Sequence, residues 1–222
     1  MARWLISDAV YTYVSARPRV LLRLEEVEGM ADRSEVEREF RHYYMTGPVM
    51  EDWVGWANLF TDDAIYFDHF YGTFTGPTEI APYLEGTMGA SPMVYTVLKW
   101  YVIDGDRVVY ECVNRADNPE PGAPPIDFPS YQIVDYAGGG KWSREEDIWI
   151  MGEMKGFAQR YREAERVFPQ TLDDKLRRDD WGPWVDWARP QPGHRARPSW
   201  YGKPDFTPFR GIHDIHFGTR SH

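Results

Sequence analysis

Residues 59–76 read LFTDDAIYFDHFYGTFTG and combine two things that a protein interior seldom accepts together. Phe60, Tyr66, Phe67, Phe70, Tyr71 and Phe74 supply ring surface, while Asp62, Asp63, Asp68 and His69 supply groups that are costly to bury. A packed core would take the rings and refuse the acids. A solvated loop would take the acids and waste the rings. The combination predicts the lip of a cavity, where rings shape the wall and carboxyls point into the hollow.

Working outward, the flanking segments order themselves around this stretch. Ser34 to Glu37 has the form of a capping box, and Val36, Phe40, Tyr43 and Tyr44 follow at helical spacing. Gly47-Pro48 is expected to break that helix and start a second, with Val49, Trp53, Trp56, Ala57 and Phe60 on one face. Asp62-Asp63 stops it, and Ala64 to Phe70 reads as a strand. Gly76-Pro77 opens a third helix carrying Ile80, Tyr83 and Leu84, which Pro82 should keep short or bent.

Beyond it, strand signals dominate. Val94–Ile103 and Arg107–Ala116 flank Asp104-Gly105-Asp106, a hairpin turn. Ser130–Tyr136 and Ser143–Met151 follow, separated by AGGGK, and helical spacing returns at Phe157, Tyr161, Ala164 and Phe168. Three helices followed by an antiparallel sheet give an α+β order.

The chain has 222 residues, enough for one domain with extensions, and a formal net charge of −10. That balance argues against sequence-independent binding of nucleic acid or of anionic membranes. No apolar run is long enough to span a bilayer. The one cysteine, Cys112, excludes an intrachain disulfide and a cysteine zinc site, and fits the cytoplasm.

Three segments are expected: an extension over residues 1–29, a domain over 30–168, and an arm over 169–222. Glu25 to Gly29 is what a translated ribosome-binding site would encode, which makes Met30 an alternative start. The arm is rich in Pro, Gly and Trp, with nine Lys/Arg against seven Asp. Trp181, Trp184, Trp187 and Trp200 suit an arm that wraps the acidic domain or a dimer partner.

Strand alternation sorts the candidate chemistry. Tyr66, Asp68 and Phe70 share one face of their strand and His69 the other; Glu111, Val113 and Arg115 share a face, with Asp117 next in line. In SREEDIW, Glu145, Asp147 and Trp149 alternate with Arg144, Glu146 and Ile148. His42 and His69 read as structural residues. His213 and His216 lack a third ligand, so no metal is expected. AGGGK lacks the setting of a phosphate loop and reads as a turn.

The order of helices, LFTDDAIYFD, Gly-rich turn GTFTGPTEI, short helix and antiparallel strands resembles the NTF2-like superfamily, specifically its SnoaL-like branch, over about residues 33–168. The resemblance implies a cone-shaped α+β barrel around a deep apolar pocket, usually in a homodimer. It implies cofactor-independent acid–base catalysis, as in polyketide cyclases, ketosteroid isomerases, dehydratases and limonene-type epoxide hydrolases; non-enzymatic binding modules also belong there. From the epoxide hydrolase branch it places Tyr66 with Asp68, Arg115 with Asp117, and Asp147 in catalytic roles. Asp68 stands where that branch has Asn, and the Arg-Asp pair is shifted in register. Tyr43, Tyr44, Trp53, Trp56, His69, Phe70 and Trp149 are expected to contact a small hydrophobic substrate.

Overall fold

The computed structural model describes residues 31–220, so the expectations for the extension over residues 1–29 and for Met30 lie outside the described residues. Helix α1 (Arg33–Tyr44) starts on Asp32, whose carboxylate accepts the Ser34 N–H at 3.3 Å. The predicted capping box does not form, because Asp32 already occupies the capping position and Glu37 turns to Arg41 and Tyr101. Val36, Phe40, Tyr43 and Tyr44 are buried as the spacing requires.

Gly47-Pro48 does not end the helix. The backbone widens into a π-helical turn over Met45–Val49, which accommodates a residue with no N–H to donate. The break comes at Glu51, with φ at 55°. Asp52 then caps α2 (Trp53–Ala57), accepting the Gly55 N–H at 2.9 Å. This helix is shorter than its apolar stripe suggests, because Phe60 already belongs to β1 (Phe60–Asp68).

A tight turn leads to β2 (Gly72–Thr75) and α3 (Gly76–Ala90). Pro82 leaves α3 at fifteen residues rather than short. Both Pro82 and Thr78, whose carbonyl loses its partner, are exposed, so the missing bond falls on the wet side.

The hairpin of β3 (Tyr95–Asp104) and β4 (Arg107–Ala116) turns at Gly105, whose φ of 60° few other residues tolerate. Strands β5 (Ile126–Gly138) and β6 (Lys141–Trp149) precede α4 (Met151–Val167) and a short α5 (Leu172–Lys175).

The strand order is β2-β1-β6-β5-β4-β3. Every neighbouring pair is antiparallel except β1 with β6, which is parallel. The sheet curves without closing, leaving β2 and β3 as edges, so the α+β class stands and the barrel is an open one. Register shifts in β3 and β5–β6 supply local bends.

The residues after α5 pack on the same compact unit. Thr73 and Thr219 exchange backbone hydrogen bonds of 2.7 and 2.6 Å along the β2 edge. Phe209 and Phe206 lie where α3 has Gly86 and Gly89; a Cβ on either would collide with the ring. Trp187 packs edge-on to Phe40 and Tyr44. Arg178 ties these parts together. It is buried, donates to Glu51 Oε1 at 2.7 Å and to the Pro92 carbonyl at 2.7 Å, and lies over the Tyr95 ring.

Removing one partner of a buried ion pair leaves the other charge stranded, at about 3–5 kcal/mol. Chemical denaturation should therefore show Arg178→Met losing about that much, with Glu51→Gln added to it recovering a substantial part. A single variant as stable as the parent would remove this pair from the account of how the arm is held.

Candidate active site

The concave face of the sheet and helices α2, α3 and α4 line an open-mouthed cavity of about 220 Å³. Trp53 and Trp56 of α2, Tyr83 and Met88 of α3, and Met154 and Phe157 of α4 form much of its wall. Strand side chains reach it only from one parity. Tyr66 and Asp68 come from β1, Tyr110, Cys112 and Asn114 from β4, Ser130 and Gln132 from β5, and Glu145, Asp147 and Trp149 from β6.

Register then sets these groups beside one another. The parallel pairing opposes Tyr66 to Glu145 and Asp68 to Asp147, and β5 opposes Gln132 to Asp147. Two carboxyls on adjacent strands and a third two residues along one of them thus converge at one end of an apolar hollow.

Each acid has a distinct environment. Asp68 gathers four donors: the Phe70 and Tyr71 N–H groups at 2.7 Å each, the Tyr83 hydroxyl at 3.0 Å, and the Trp149 indole at 3.2 Å. That is the setting of a carboxylate whose acceptor capacity is filled. Asp147 accepts the Tyr66 hydroxyl. Glu145, only 2% exposed, accepts the Tyr43 hydroxyl, which lies 3.4 Å from that of Tyr110.

Burial pushes the Asp147 carboxyl up to about 7, reinforced by the charge of Asp68 and opposed by hydrogen bonds from Tyr66, Glu145 and Gln132. Burial, with Asp147 close by, raises Glu145 well above the ordinary carboxyl range. Asp147 therefore stands ready to gain or lose a proton near neutrality, and burial biases Glu145 toward its protonated form. Tyr43, Tyr66, Tyr83 and Tyr110 are all raised by burial and remain hydroxyl donors. Burial also raises Cys112 to about 12, which makes it an inert thiol.

The structure brings together Tyr66, Asp68, Asp147, Trp53, Trp56 and Trp149 of the expected residues. Others lie elsewhere. Arg115 belongs to the opposite parity of β4; it makes a two-pronged pair with Asp127 at 2.8 and 2.7 Å and reaches Asp180 at 2.8 Å. Asp117 accepts the Tyr95 hydroxyl and the Asp179 N–H, also away from the cavity. The predicted Arg115–Asp117 pair therefore does not form, and the middle strand offers the cavity Tyr110, Cys112 and Asn114 instead.

His69 faces outward beside Glu146 at 2.8 Å, and Phe70 is exposed against Trp149 and Tyr71. Tyr43 stands behind Glu145 and Tyr44 turns to the Thr96 carbonyl, so neither reaches the hollow. Glu145 and Tyr83 were not singled out from sequence. The alternation in SREEDIW had already placed Glu145 on the face of Asp147, and that parity was the available signal.

The SnoaL-like domain family matches residues 26–145. No curated protein matches the chain. Among solved structures, an epoxide hydrolase of the LEH-like type from M. tuberculosis is 17% identical, with a TM-score of 0.46 over 62% of this chain and 98% of that one. A candidate SnoaL-like polyketide cyclase from Jannaschia sp. CCS1 is 15% identical, with a TM-score of 0.44 over 59% of this chain and 96% of its own. With the family matched across more than half its length, on a curved α+β sheet cupping a cavity, the chain belongs to the SnoaL-like domain family of the NTF2-like superfamily.

Proposed function

We propose that the cavity carries out cofactor-independent acid–base chemistry on a small hydrophobic molecule, with Asp147 exchanging the proton. The observation that supports this reading is the pairing of Glu145 and Asp147 on one strand face, both in the hollow and both raised by burial. An acid or base works best when its pKa lies near the working pH, and Asp147 meets that condition. Glu145, biased toward its protonated form, shares that strand face two residues away, and Tyr66 and Tyr83 offer hydroxyls that orient the two aspartates.

Among reactions of this class, dehydration, isomerisation and aldol-type cyclisation fit better than epoxide hydration. Each needs a proton taken from carbon or delivered to oxygen in a dry site, which one raised carboxyl can do. Hydration on the pattern of the resemblance needs an arginine beside a second acid, and Arg115 and Asp117 face away.

In a panel of ketones assayed for α-proton exchange and of β-hydroxy ketones assayed for dehydration, Asp147→Asn should reduce kcat by at least 100-fold, within the usual reach of acid–base catalysis. With Asp147 as the base, kcat/KM should rise through about pH 7 as its carboxyl ionises. Turnover untouched by Asp147→Asn would end the catalytic role.

The same carboxyl makes a stability prediction. Its folded-state pKa lies near 7 against an ordinary 3.8, so the native state holds its proton more tightly than the unfolded chain and stability is lost as pH rises through that window. Thermal melts should show Asp147→Asn raising Tm at pH 8 and changing it far less at pH 5. Equal shifts at both pH values would contradict the assigned environment.

A further inference from the structure

We infer that the molecule this cavity takes is a small hydrophobic amine carrying one positive charge, its ammonium against Asp147 and its hydrocarbon body among the rings. The inference rests on the cavity being the ligand site, as proposed above, and adds the class of ligand.

The argument begins with charge. Asp68, Glu145 and Asp147 all reach the hollow, and among the described residues no Lys, Arg or His lines it. Cations exist on the same strands, but parity sends them to the outer face. Arg144 and His69 pair there with Glu146, Lys99 with Glu111, and Arg115 with Asp127. Glu146, Glu111 and Asp127 on the outer face thus each have a counter-ion, while the three acids of the inner face have none. Dipoles serve Asp68, with four donors, and a phenol serves each of the others. Dipoles alone do not make up for a missing counter-charge in a dry site, and the remaining deficit is met by retained protons.

The walls point the same way. Tyr66 and Tyr83 have ring centroids 5.4 Å apart, Tyr71 and Tyr83 5.7 Å, Trp56 and Tyr66 6.1 Å, and Tyr71 and Trp149 6.4 Å. These rings surround Asp68 and Asp147. Aromatic faces attract cations, more strongly once water is excluded. Rings and carboxylates together therefore favour a cation, and one with an apolar body, since Leu84, Met88, Met93, Val94, Phe128 and Phe157 also line the wall. An anionic ligand would meet Asp68, Glu145 and Asp147 with no Lys, Arg or His in the lining to offset them. A neutral one would leave the acids holding their protons.

Binding must then be linked to pH. The groups facing Asp147 are Asp68 and Tyr66 from β1, Glu145 on its own strand, Gln132 from β5, Tyr110 and Cys112 from β4, and Tyr83 from α3. None is cationic, so an entering ammonium becomes the first positive charge near Asp147 and favours its ionised form. Below about pH 7 the ligand must displace that proton, and affinity should improve about tenfold per pH unit, levelling off above.

The test uses the full chain and three probes of similar shape: N,N-dimethylbenzylamine, which is cationic throughout, the neutral N,N-dimethylbenzamide, and anionic phenylacetate. Calorimetry between pH 5.5 and 8 should show the amine binding tightest at pH 8, by at least tenfold over the amide, with phenylacetate weakest. The amine's Kd should fall by at least tenfold from pH 5.5 to pH 7. In Asp147→Asn, checked for an intact thermal transition, amine affinity at pH 8 should drop at least tenfold and lose its pH slope. Amide binding equal to or tighter than the amine, or a pH-independent amine Kd in the parent protein, would overturn the assignment without any variant being needed. Asp147-dependent turnover of a neutral compound, with the amine excluded, would overturn the cationic ligand and leave the acid–base reading standing. Amine binding with no Asp147-dependent turnover would uphold the ligand class and remove the catalysis.

Discussion

The parallel pairing of β1 with β6 is the constraint from which the site follows. It sets Asp68 directly beside Asp147 and Tyr66 beside Glu145. A slip of one residue in either strand would reverse which side chains face the cavity and put Arg144, Glu146 and Ile148, or Ile65 and Phe67, in place of the present groups. The sheet's remaining pairs then extend the row, through Gln132 and Tyr110, across the cavity floor. Alternation does the rest of the sorting. Inner-face acids meet rings and phenols, Glu111, Asp127, Asp135 and Glu146 on the outer face meet Lys or Arg, and one backbone thereby presents two electrostatically different surfaces.

Much of this was legible in the sequence because it depends on period two. The parity of Tyr66 and Asp68 and that of Glu145, Asp147 and Trp149 held, as did the hairpin at Gly105 and the buried stripe of α1. What was lost depended on where a pattern begins and on partners far away in the chain. Asp32 took the cap because it stands two residues ahead of Ser34, a choice that local spacing leaves open. Pro82 was tolerated because its helix turns that side to solvent, which only packing decides. Arg115 and Asp117 look like a pair in sequence, yet Arg115 finds Asp127 across the strand and Asp180 from the arm. An arginine with better partners does not remain with a neighbour two residues away.

The C-terminal segment explains how an open sheet keeps a shaped hollow. Its ring side chains settle over the two glycines of α3, the helix that carries Tyr83 to Asp68, and its backbone bonds to the β2 edge. An exposed strand edge invites pairing with other chains, and covering it removes that hazard while steadying the wall of the site. Gly86 and Gly89 carry no hydrogen-bonding or ionic group, yet they allow the approach through which α3 is held.

A cavity with three acids and no counter-ion is expensive to maintain, since each carboxyl has left water without a cation to replace it. The raised Asp147 and Glu145 are the visible sign of that expense: they hold protons that solvent-exposed carboxyls would release. A chain selected for stability alone would have placed leucine or asparagine at these positions with little disturbance to the fold. Glu145 and Asp147, both raised by burial beside Asp68 in a hollow walled by tyrosine and tryptophan, instead store a capacity to accept the positive charge of a bound ligand. Proton exchange at Asp147 and pairing with a bound cation both draw on the ionisation of that one buried carboxyl, and both arise from the same few residues of β1 and β6.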